Sequence, residues 1–345
     1  ASAGCPLDLS IAKSAKYDTT PIAEHEILFG VSFKREGIPE WKPMTNYYGV
    51  TESGTVYFCS PSPILYPYLL ELFLEEWFGV APGSGEQSGG CTVTACYREI
   101  PVFHTDRLKA EGYSVVLDEP FDGDALNLDV WTYRGEGERA AGFFSSSQAA
   151  VADGNLILTG EYLNDGAYGE GWYGVAVSLK DWYCRGYYES RIQCCMTTGK
   201  GNGDLYSAFW IQGPSPYDPE QSQGGAGPGG AELDILENFG PDCTTCTVHV
   251  SGYEGNTGIS SQHAEIFSQG NNYVDEYHVY SLLWTEDYYA YYLDGVLLNH
   301  TGFGYGTSPA PEEVILSMTV PNGISVSPDV NRIMYVDYLR IWQKP

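Results

Sequence analysis

Short strand-like segments separated by turn residues run through the last two thirds of the chain and limit the folds that it can adopt. Apolar runs such as 156–158 and 289–293 are short, and each has an Asn or Asp next to one of its ends. The dipeptides Asp153-Gly154 and Asp294-Gly295 lie between apolar runs, where they predict hairpin turns. From residue 114 onward the sequence therefore predicts an all-β domain built as a sandwich of strands.

The first third of the chain has a different pattern. Leu69, Phe73 and Trp77 recur at helical spacing ahead of Gly79, which predicts one amphipathic helix with a buried aromatic face. Residues 83–90 are rich in Gly and Ser and predict a loop. We divide the chain into residues 1–113, whose role and structure stay open with α+β among the possibilities, and a domain over residues 114–345.

Charge and cysteine content narrow the functional classes. The 345 residues include 45 acidic and 17 basic ones, a net charge of −28, which repels phosphate backbones and argues against a nucleic-acid partner. No apolar stretch approaches the roughly 20 residues of a membrane-spanning helix, so we expect no integral membrane segment. Nine cysteines form an odd set that leaves the redox compartment open. The acidic surface is typical of an exported protein, and we expect a monomer.

Three carboxylates interrupt an apolar strand-like segment at 231–238. In a regular strand Glu232 and Asp234 would share one face, whereas Glu237 would point to the other. A bulge of one residue between Asp234 and Glu237 returns all three to the same face. The irregular stretch 213–230, rich in Gly, Pro, Ser and Gln, lies just before them and predicts a long loop beside a binding site.

Such a cluster suits glycoside hydrolysis, in which one carboxylate attacks the anomeric carbon and a second protonates the departing oxygen. We expect Glu232 and Glu237 to lie roughly 5–6 Å apart, near the separation of retaining enzymes. Asp234 would raise its neighbour's pKa through like charge or share a proton with the nucleophile. From spacing alone, a solvated strand face that carries carboxylates by chance is an equal alternative.

The motif Glu232-Leu-Asp234-Ile-Leu-Glu237 resembles the bulged Glu-x-Asp-x-x-Glu signature of glycoside hydrolase family 16. The resemblance covers roughly residues 114–345 and continues, in order, through the segments 115–123, 153–156, 187–191, 207–211, 277–285, 294–295 and 336–340. It implies a concanavalin-like β-jelly-roll sandwich with a glycan groove. It also implies Glu232 as nucleophile, Asp234 as assisting carboxylate and Glu237 as acid/base in a retaining, endo-acting hydrolase that needs no catalytic cofactor.

The same resemblance suggests further site residues. His249 occupies the position of a histidine near the nucleophile. Substrate-binding candidates are Trp210 and Trp284, whose flat rings match the apolar faces of β-linked pyranoses, and, with less support, Glu189, Arg191, Trp172 and Trp182. Many relatives carry a structural calcium ion, for which Asp337 and Gly154 match the ligand positions.

The bulged form points to laminarinase-like and galactan-cleaving relatives within the family. We place β-1,3- or mixed-linkage β-glucan first as substrate, and neutral algal galactan or mucin-type glycan second, because Ser207-Ala-Phe-Trp210 departs from the common laminarinase form. A non-catalytic glycan-binding protein is the alternative from another class, and transglycosylation is a variant of the same chemistry. A polymeric substrate implies a secreted or cell-surface protein.

Overall fold

A computed structural model describes residues 27–30, 37–40, 42–79, 95–197, 203–240, 243–267 and 273–345. The chain divides into two compact units, Ala1–Pro101 and Val102–Pro345. The loop predicted at 83–90 lies outside the described residues. None of the helices in the described ranges combines the length and the apolar character that crossing a bilayer requires.

The N-terminal unit combines a small sheet with one helix, so it is α+β in its described part. Its elements are β1 (Ile27–Gly30), β2 (Tyr47–Val50), β3 (Val56–Cys59), β4 (Cys96–Glu99), a 3₁₀ turn (Pro63–Leu65) and helix α1 (Tyr66–Phe78). The strand order is β1-β3-β2-β4, with β1 parallel to β3. Helix α1 buries Leu69 and Phe73 and ends at Gly79, whose φ of 60° no other residue adopts as easily, as predicted.

The C-terminal unit is built almost entirely of strands. Its strands are β5 (Ser114–Glu119), β6 (Trp131–Tyr133), β7 (Gly137–Arg139), β8 (Gly142–Phe144), β9 (Ala149–Ala152), β10 (Asn155–Gly166), β11 (Gly169–Leu179), β12 (Gly186–Gln193), β13 (Tyr206–Gln212), β14 (Glu232–Gly240), β15 (Cys243–Ser251), β16 (Ile259–Phe267), β17 (His278–Trp284), β18 (Tyr289–Leu293), β19 (Val296–Thr301), β20 (Glu313–Thr319) and β21 (Arg332–Gln343). Short helical pieces are α2 (Asp106–Ala110), α3 (Pro219–Ser222) and the 3₁₀ turns Ser146–Gln148, Gln223–Gly225 and Tyr253–Gly255.

Most of these strands form two antiparallel sheets that are joined at the edges, whereas β7 pairs with β8, which runs parallel to β11. One sheet, called the cavity sheet because one of its faces lines a cavity, has the order β6-β11-β20-β13-β14-β15-β16. The outer sheet has the order β9-β10-β21-β12-β17-β18-β19, with β5 along the second half of β21. The β10–β11 hairpin connects the two sheets. The predicted β-jelly-roll sandwich is therefore confirmed.

Alternation along the strands separates the core from the cavity. On β13, Phe209 and Ile211 are fully buried, whereas Trp210 and Gln212 point the other way and line a cavity. On β14, Leu233 and Leu236 are fully buried beneath the carboxylates. The core between the sheets thus holds one face of each central strand and leaves the other face for polar groups.

Both predicted hairpin turns form. Asp153 and Gly154 have φ values of 52° and 72° and join β9 to β10, and Asp294 and Gly295 have values of 50° and 77° and join β18 to β19. Two successive positive φ angles are the backbone of a type I′ turn, which explains the Asp-Gly pairs.

The C-terminal unit begins at Val102, before the start at residue 114 that the strand pattern suggested. Phe103 donates its backbone N–H to Gly295 O at 2.8 Å, and its ring lies 5.0 Å from that of Tyr187 and 4.9 Å from that of Tyr292. Leu108 of α2 is fully buried. Residues 102–113 therefore pack as part of this unit.

Candidate active site

A bulge in β14 brings the three carboxylates to one face, as predicted. Trp210 lies opposite Asp234 and Phe209 opposite Leu236, so Ile235 has no partner on β13. The pairing with β15 shows the same shift. Asp234 and Glu237 are three residues apart on β14, whereas their partners Thr247 and Thr245 are two residues apart on β15. One extra residue returns the side chain of Glu237 to the face of Glu232 and Asp234.

The carboxylates line a cavity of about 280 Å³ on the cavity sheet. Besides Glu232, Asp234 and Glu237, the walls include Trp210 from β13 and Tyr217 from the long loop before β14. Polar groups thus converge on one concave region that is large enough for a sugar ring, the usual form of a small-ligand site. The loop at 213–230 contributes to the site through Tyr217, as its position in the sequence predicted.

Asp234 lies at the bottom of the cluster and is only 5% exposed. Burial, followed by the charge of Glu232, raises its pKa well above the usual range of an aspartic acid. Its Oδ2 lies 3.0 Å from Nε2 of His249, whose Nδ1 contacts Ser261 Oγ on β16. His249 therefore lies beside the carboxylates, where the sequence predicted it.

The surroundings of Glu237 favour its protonated form. Burial of its carboxyl group among the cavity walls, and then the charge of Asp234, raise its pKa well above the usual range, although part of the side chain faces the cavity. The hydroxyl of Tyr206 forms a hydrogen bond with the Glu237 carboxyl group. A carboxylic acid that stays neutral near pH 7 can donate a proton to a departing oxygen.

The Glu232 carboxylate is held by hydrogen-bond donors. The side-chain amide of Gln212 donates to Glu232 Oε2, and the Tyr217 hydroxyl also forms a hydrogen bond with this carboxylate. Glu232 and Glu237 therefore have different surroundings, one facing hydrogen-bond donors and the other buried beside negative charge. This difference suits Glu232 to act as nucleophile and Glu237 to act as acid.

The sequence profile of Glycosyl hydrolases family 16 matches residues 140–314, half of the chain and the whole of the carboxylate strand. The chain belongs to this family.

Relatives and solved structures agree with that assignment. Glucan endo-1,3-beta-glucosidase A1 of Niallia circulans is 23% identical over 276 residues, which are 68% of this chain and 38% of that protein. Beta-glucanase of Acetivibrio thermocellus is 30% identical over 151 residues, 43% of this chain and 38% of that protein. The chain thus spans about two fifths of the length of each.

A laminarinase catalytic domain from Thermotoga petrophila superimposes with a TM-score of 0.53 at 20% identity, covering 67% of this chain and 98% of that one. A structure from a study of endo-acting O-glycanases of the human gut microbiota that initiate mucin breakdown gives a TM-score of 0.55 at 19% identity, covering 68% and 91%. At these identities the likeness establishes the family 16 fold.

The two predicted sugar-binding tryptophans differ in position. Trp210 lines the cavity, with its Nε1 donating to Ser317 Oγ at 3.1 Å. Trp284 is fully buried on the outer sheet, where its Nε1 donates to Ser308 O at 3.1 Å. The placement of Trp284 at the glycan was wrong, because β17 belongs to the other layer and this ring packs in the core.

Glu189 and Arg191 are also displaced from the site. Both lie on β12 of the outer sheet, and Glu189 is only 5% exposed with Arg340 as its charged neighbour at 3.9 Å. Arg191 pairs with Asp337 at 2.8 Å and lies over the ring of Tyr277. Their alternation on a strand was predicted, but the strand faces away from the cavity.

Two further aromatic candidates lie elsewhere in this family 16 domain. Trp172 is 8% exposed and packs edge-on against Tyr162 at 5.5 Å between centroids. Trp182 is 45% exposed in the connection from β11 to β12. Neither is among the described residues that line the cavity.

The pair suggested for calcium, Asp337 and Gly154, lies beside an arginine. The pairing of Leu156 with Val336 brings the turn at Gly154 next to Asp337, but the Asp337 carboxylate already accepts from Arg191 at 2.8 Å. A fixed guanidinium charge at that oxygen opposes a divalent cation. Within the described ranges the grouping with potential metal ligands is Glu232, Asp234 and His249, in the carboxylate cluster itself.

Several cavity residues were not identified from the sequence. They are Arg134, Arg139, Phe144, Tyr206, Gln212, Tyr217 and Thr319. Arg139, Phe144 and Thr319 come from β7, β8 and β20, which are distant from β14 in sequence, and their residue types are common. Gln212 ends the strand that resembles the family's Ala-Phe-Trp segment, so strand pairing with Glu232 was the one available signal.

Proposed function

We propose that this chain is a retaining endo-β-glycosidase that hydrolyses β-1,3- or mixed-linkage β-glucan by double displacement. The observation that carries this proposal is the bulge-aligned trio of carboxyl groups, in which burial raises the pKa of Glu237 while Glu232 faces hydrogen-bond donors. Choice of a glucan rests on the names of the relatives, a glucan endo-1,3-beta-glucosidase and a beta-glucanase.

In the first step, Glu232 forms a bond to the anomeric carbon while the glycosidic bond breaks and Glu237 gives its proton to the departing oxygen. In the second step, Glu237, now ionised, takes a proton from water as the water oxygen attacks the anomeric carbon and releases Glu232. Burial and then the neighbouring Asp234 carboxyl group raise the pKa of Glu237 and so favour its protonated form, and Asp234 Oδ2 lies 3.0 Å from His249 Nε2. No step requires a metal or an organic cofactor. Because polysaccharides lie outside cells, we also propose a secreted or cell-surface location.

The test measures reducing-end release and product masses from laminarin, mixed-linkage glucan, agarose, porphyran and mucin glycans. We expect release from a glucan, and a loss of turnover on the order of 10⁴-fold or more in Glu232→Gln with folding unchanged by circular dichroism. Near-normal activity of Glu232→Gln would refute the assignment of the nucleophile. Release from a galactan or mucin alone would keep the mechanism and change the substrate, whereas glycan binding without release would support a binding protein.

Glu237→Gln tests the acid separately. We expect a loss of about 10²- to 10⁴-fold on polysaccharide, because the departing alkoxide needs a proton. On an aryl glycoside, whose phenol leaves without protonation, the variant should lose far less of the parent's rate. Transfer of the glycosyl group to added azide, which needs no general base, should also be much less affected. Equal losses on both substrates would contradict the role of Glu237.

A further inference from the structure

Gln212 contacts two groups of opposite chemistry at the edge of the cavity. It lies directly opposite Glu232 in the pairing of β13 with β14, and its Nε2 donates to Glu232 Oε2. Its Oε1 accepts from Nη2 of Arg134 at 2.5 Å. A guanidinium can only donate and an ionised carboxylate can only accept, so the amide bridges the two groups in a single orientation.

Arg134 is itself held from two directions. Its Nε donates to Glu313 Oε2 at 2.8 Å, and its guanidinium lies 4.9 Å from the centre of the Trp210 ring. The Arg134 and Glu313 side chains are 27% and 17% exposed, so solvent screens this pair only in part. Rotation of the Gln212 amide by half a turn would break the contact with Arg134. It would also place the amide oxygen next to the Glu232 carboxylate, which would repel it.

We propose that Gln212 is a positioning residue for the nucleophile and that Arg134 and Glu313 fix its amide. This inference rests on the proposed function. The donated hydrogen bond holds Oε2 of Glu232, so in this proposal Oε1 is the oxygen that attacks the anomeric carbon. Strand pairing does not need this chain of side chains, because the backbones of β13, β14 and β20 pair independently of it.

The hydrogen bond serves both chemical steps. Before attack it stabilises the carboxylate relative to the carboxylic acid. In the glycosyl-enzyme Oε1 is bonded to the sugar and Oε2 is the ester carbonyl oxygen. When water displaces Glu232, the electron pair of the C1–Oε1 bond returns to the carboxylate, and the Gln212 amide stabilises the charge that develops. Loss of the amide should therefore lower kcat more than it changes KM.

The test compares Gln212→Met with the parent protein on the best glycan of the panel. Met has nearly the same length but neither donates nor accepts a strong hydrogen bond. We expect kcat to fall about ten- to hundredfold, KM to change less than about threefold, and the acid limb of the pH–rate profile to move to higher pH. The matched control is Gln148→Met, which removes an amide that donates to Glu161 Oε1 at 3.0 Å outside the cavity lining and should leave kcat and the acid limb unchanged.

Two more variants test the chain of contacts and guard against misfolding. Gln212→Glu keeps the acceptor for Arg134 but sets a carboxylate against Glu232, so the acid limb should move further. Arg134→Met should lower kcat and shift the acid limb in the same direction as Gln212→Met, but by less. The double variant should lose no more kcat than Gln212→Met alone, because both residues act through one contact. The control is Arg340→Met, which removes an arginine that pairs with Asp118 at 2.7 Å and lies over the Tyr338 ring.

An unchanged kcat and acid limb in Gln212→Met and Gln212→Glu would overturn the positioning role while leaving the hydrolase intact. Strictly additive losses in the Gln212/Arg134 double variant would overturn the part of Arg134. A parent protein without turnover on any glycan would instead overturn the proposed function, so the two failures are distinguishable.

Discussion

Glu312 shows how a single buried carboxyl group can make the stability of this protein depend on pH. Its side chain is fully buried, and its Oε1 accepts from the backbone N–H of Ala231 at 2.9 Å. Ala231 directly precedes Glu232, so this contact holds the start of the catalytic strand. Burial raises the pKa of Glu312 from 4.5 to about 8, which means that the folded protein keeps a proton that the unfolded chain loses.

The sign of the effect follows from proton linkage. A raised folded pKa gives stability that is complete below pH 4.5 and is lost as pH rises through about 8. Glu312→Gln removes this titratable group. The free energy of unfolding of the variant minus that of the parent should therefore be about 3–5 kcal/mol larger at pH 9 than at pH 5. Urea denaturation at both pH values measures this.

Glu170→Gln, at an exposed position, is the control and should leave the pH dependence unchanged. A parent–variant difference that is the same at pH 5 and pH 9 would show that Glu312 has the same pKa in the folded and the unfolded protein.

At the scale of elements, the two Asp-Gly hairpins use the same backbone in different surroundings. A Cβ atom added to Gly295 would lie 2.5 Å from Phe103 O, whereas one added to Gly154 would meet nothing within 4 Å. Both glycines have positive φ, at 77° and 72°, so backbone strain is common to the two substitutions.

We expect Gly154→Ala to cost about 1 kcal/mol through backbone strain alone. Gly295→Ala should cost about 3 kcal/mol, since Phe103 must also move. Thermal and urea unfolding of the two variants measure the difference. Equal costs would mean that the contact between Gly295 and residues 102–103 adds nothing.

At the scale of the whole molecule, the cavity belongs to a single unit. The described residues that line it run from Arg134 to Thr319, within Val102–Pro345. A fragment of residues 102–345 should therefore retain the kcat of the full chain on the same glycan. A large loss would assign residues 1–101 a part in catalysis.

The unfolding of two fragments tests the boundary between the units. A fragment of residues 114–345 lacks Phe103 and the fully buried Leu108, and should be less stable than 102–345 by about 3–6 kcal/mol. Unfolding of the two fragments in urea compares them directly. Equal stability would place the boundary at residue 114, where the strand pattern begins.

Much of this protein follows from local sequence, because the responsible physics acts over a few residues. Two successive positive φ angles require Asp-Gly pairs, helical spacing together with Gly79 defines α1, and the count of residues between Asp234 and Glu237 requires a bulge. These features need no knowledge of distant residues. The three carboxylates and their shared face could thus be predicted from one segment.

What local sequence left open is which face of which sheet a residue occupies. Trp210 and Trp284 both lie on strands, yet one lines the cavity and the other is fully buried in the outer sheet. Glu189 and Arg191 were misplaced for the same reason. A strand has two faces and a sandwich has two layers, and a period of two residues cannot distinguish the four environments.

Sequence alone thus determined the β class, the turns and the catalytic strand, because chain stereochemistry and residue spacing are local. Only the tertiary structure decided that Gln212 and Arg134 converge on Glu232 and that Glu237 is buried deeply enough for desolvation to raise its pKa. Those properties depend on distances and desolvation between residues up to about a hundred positions apart, which exist only once the sheets have packed.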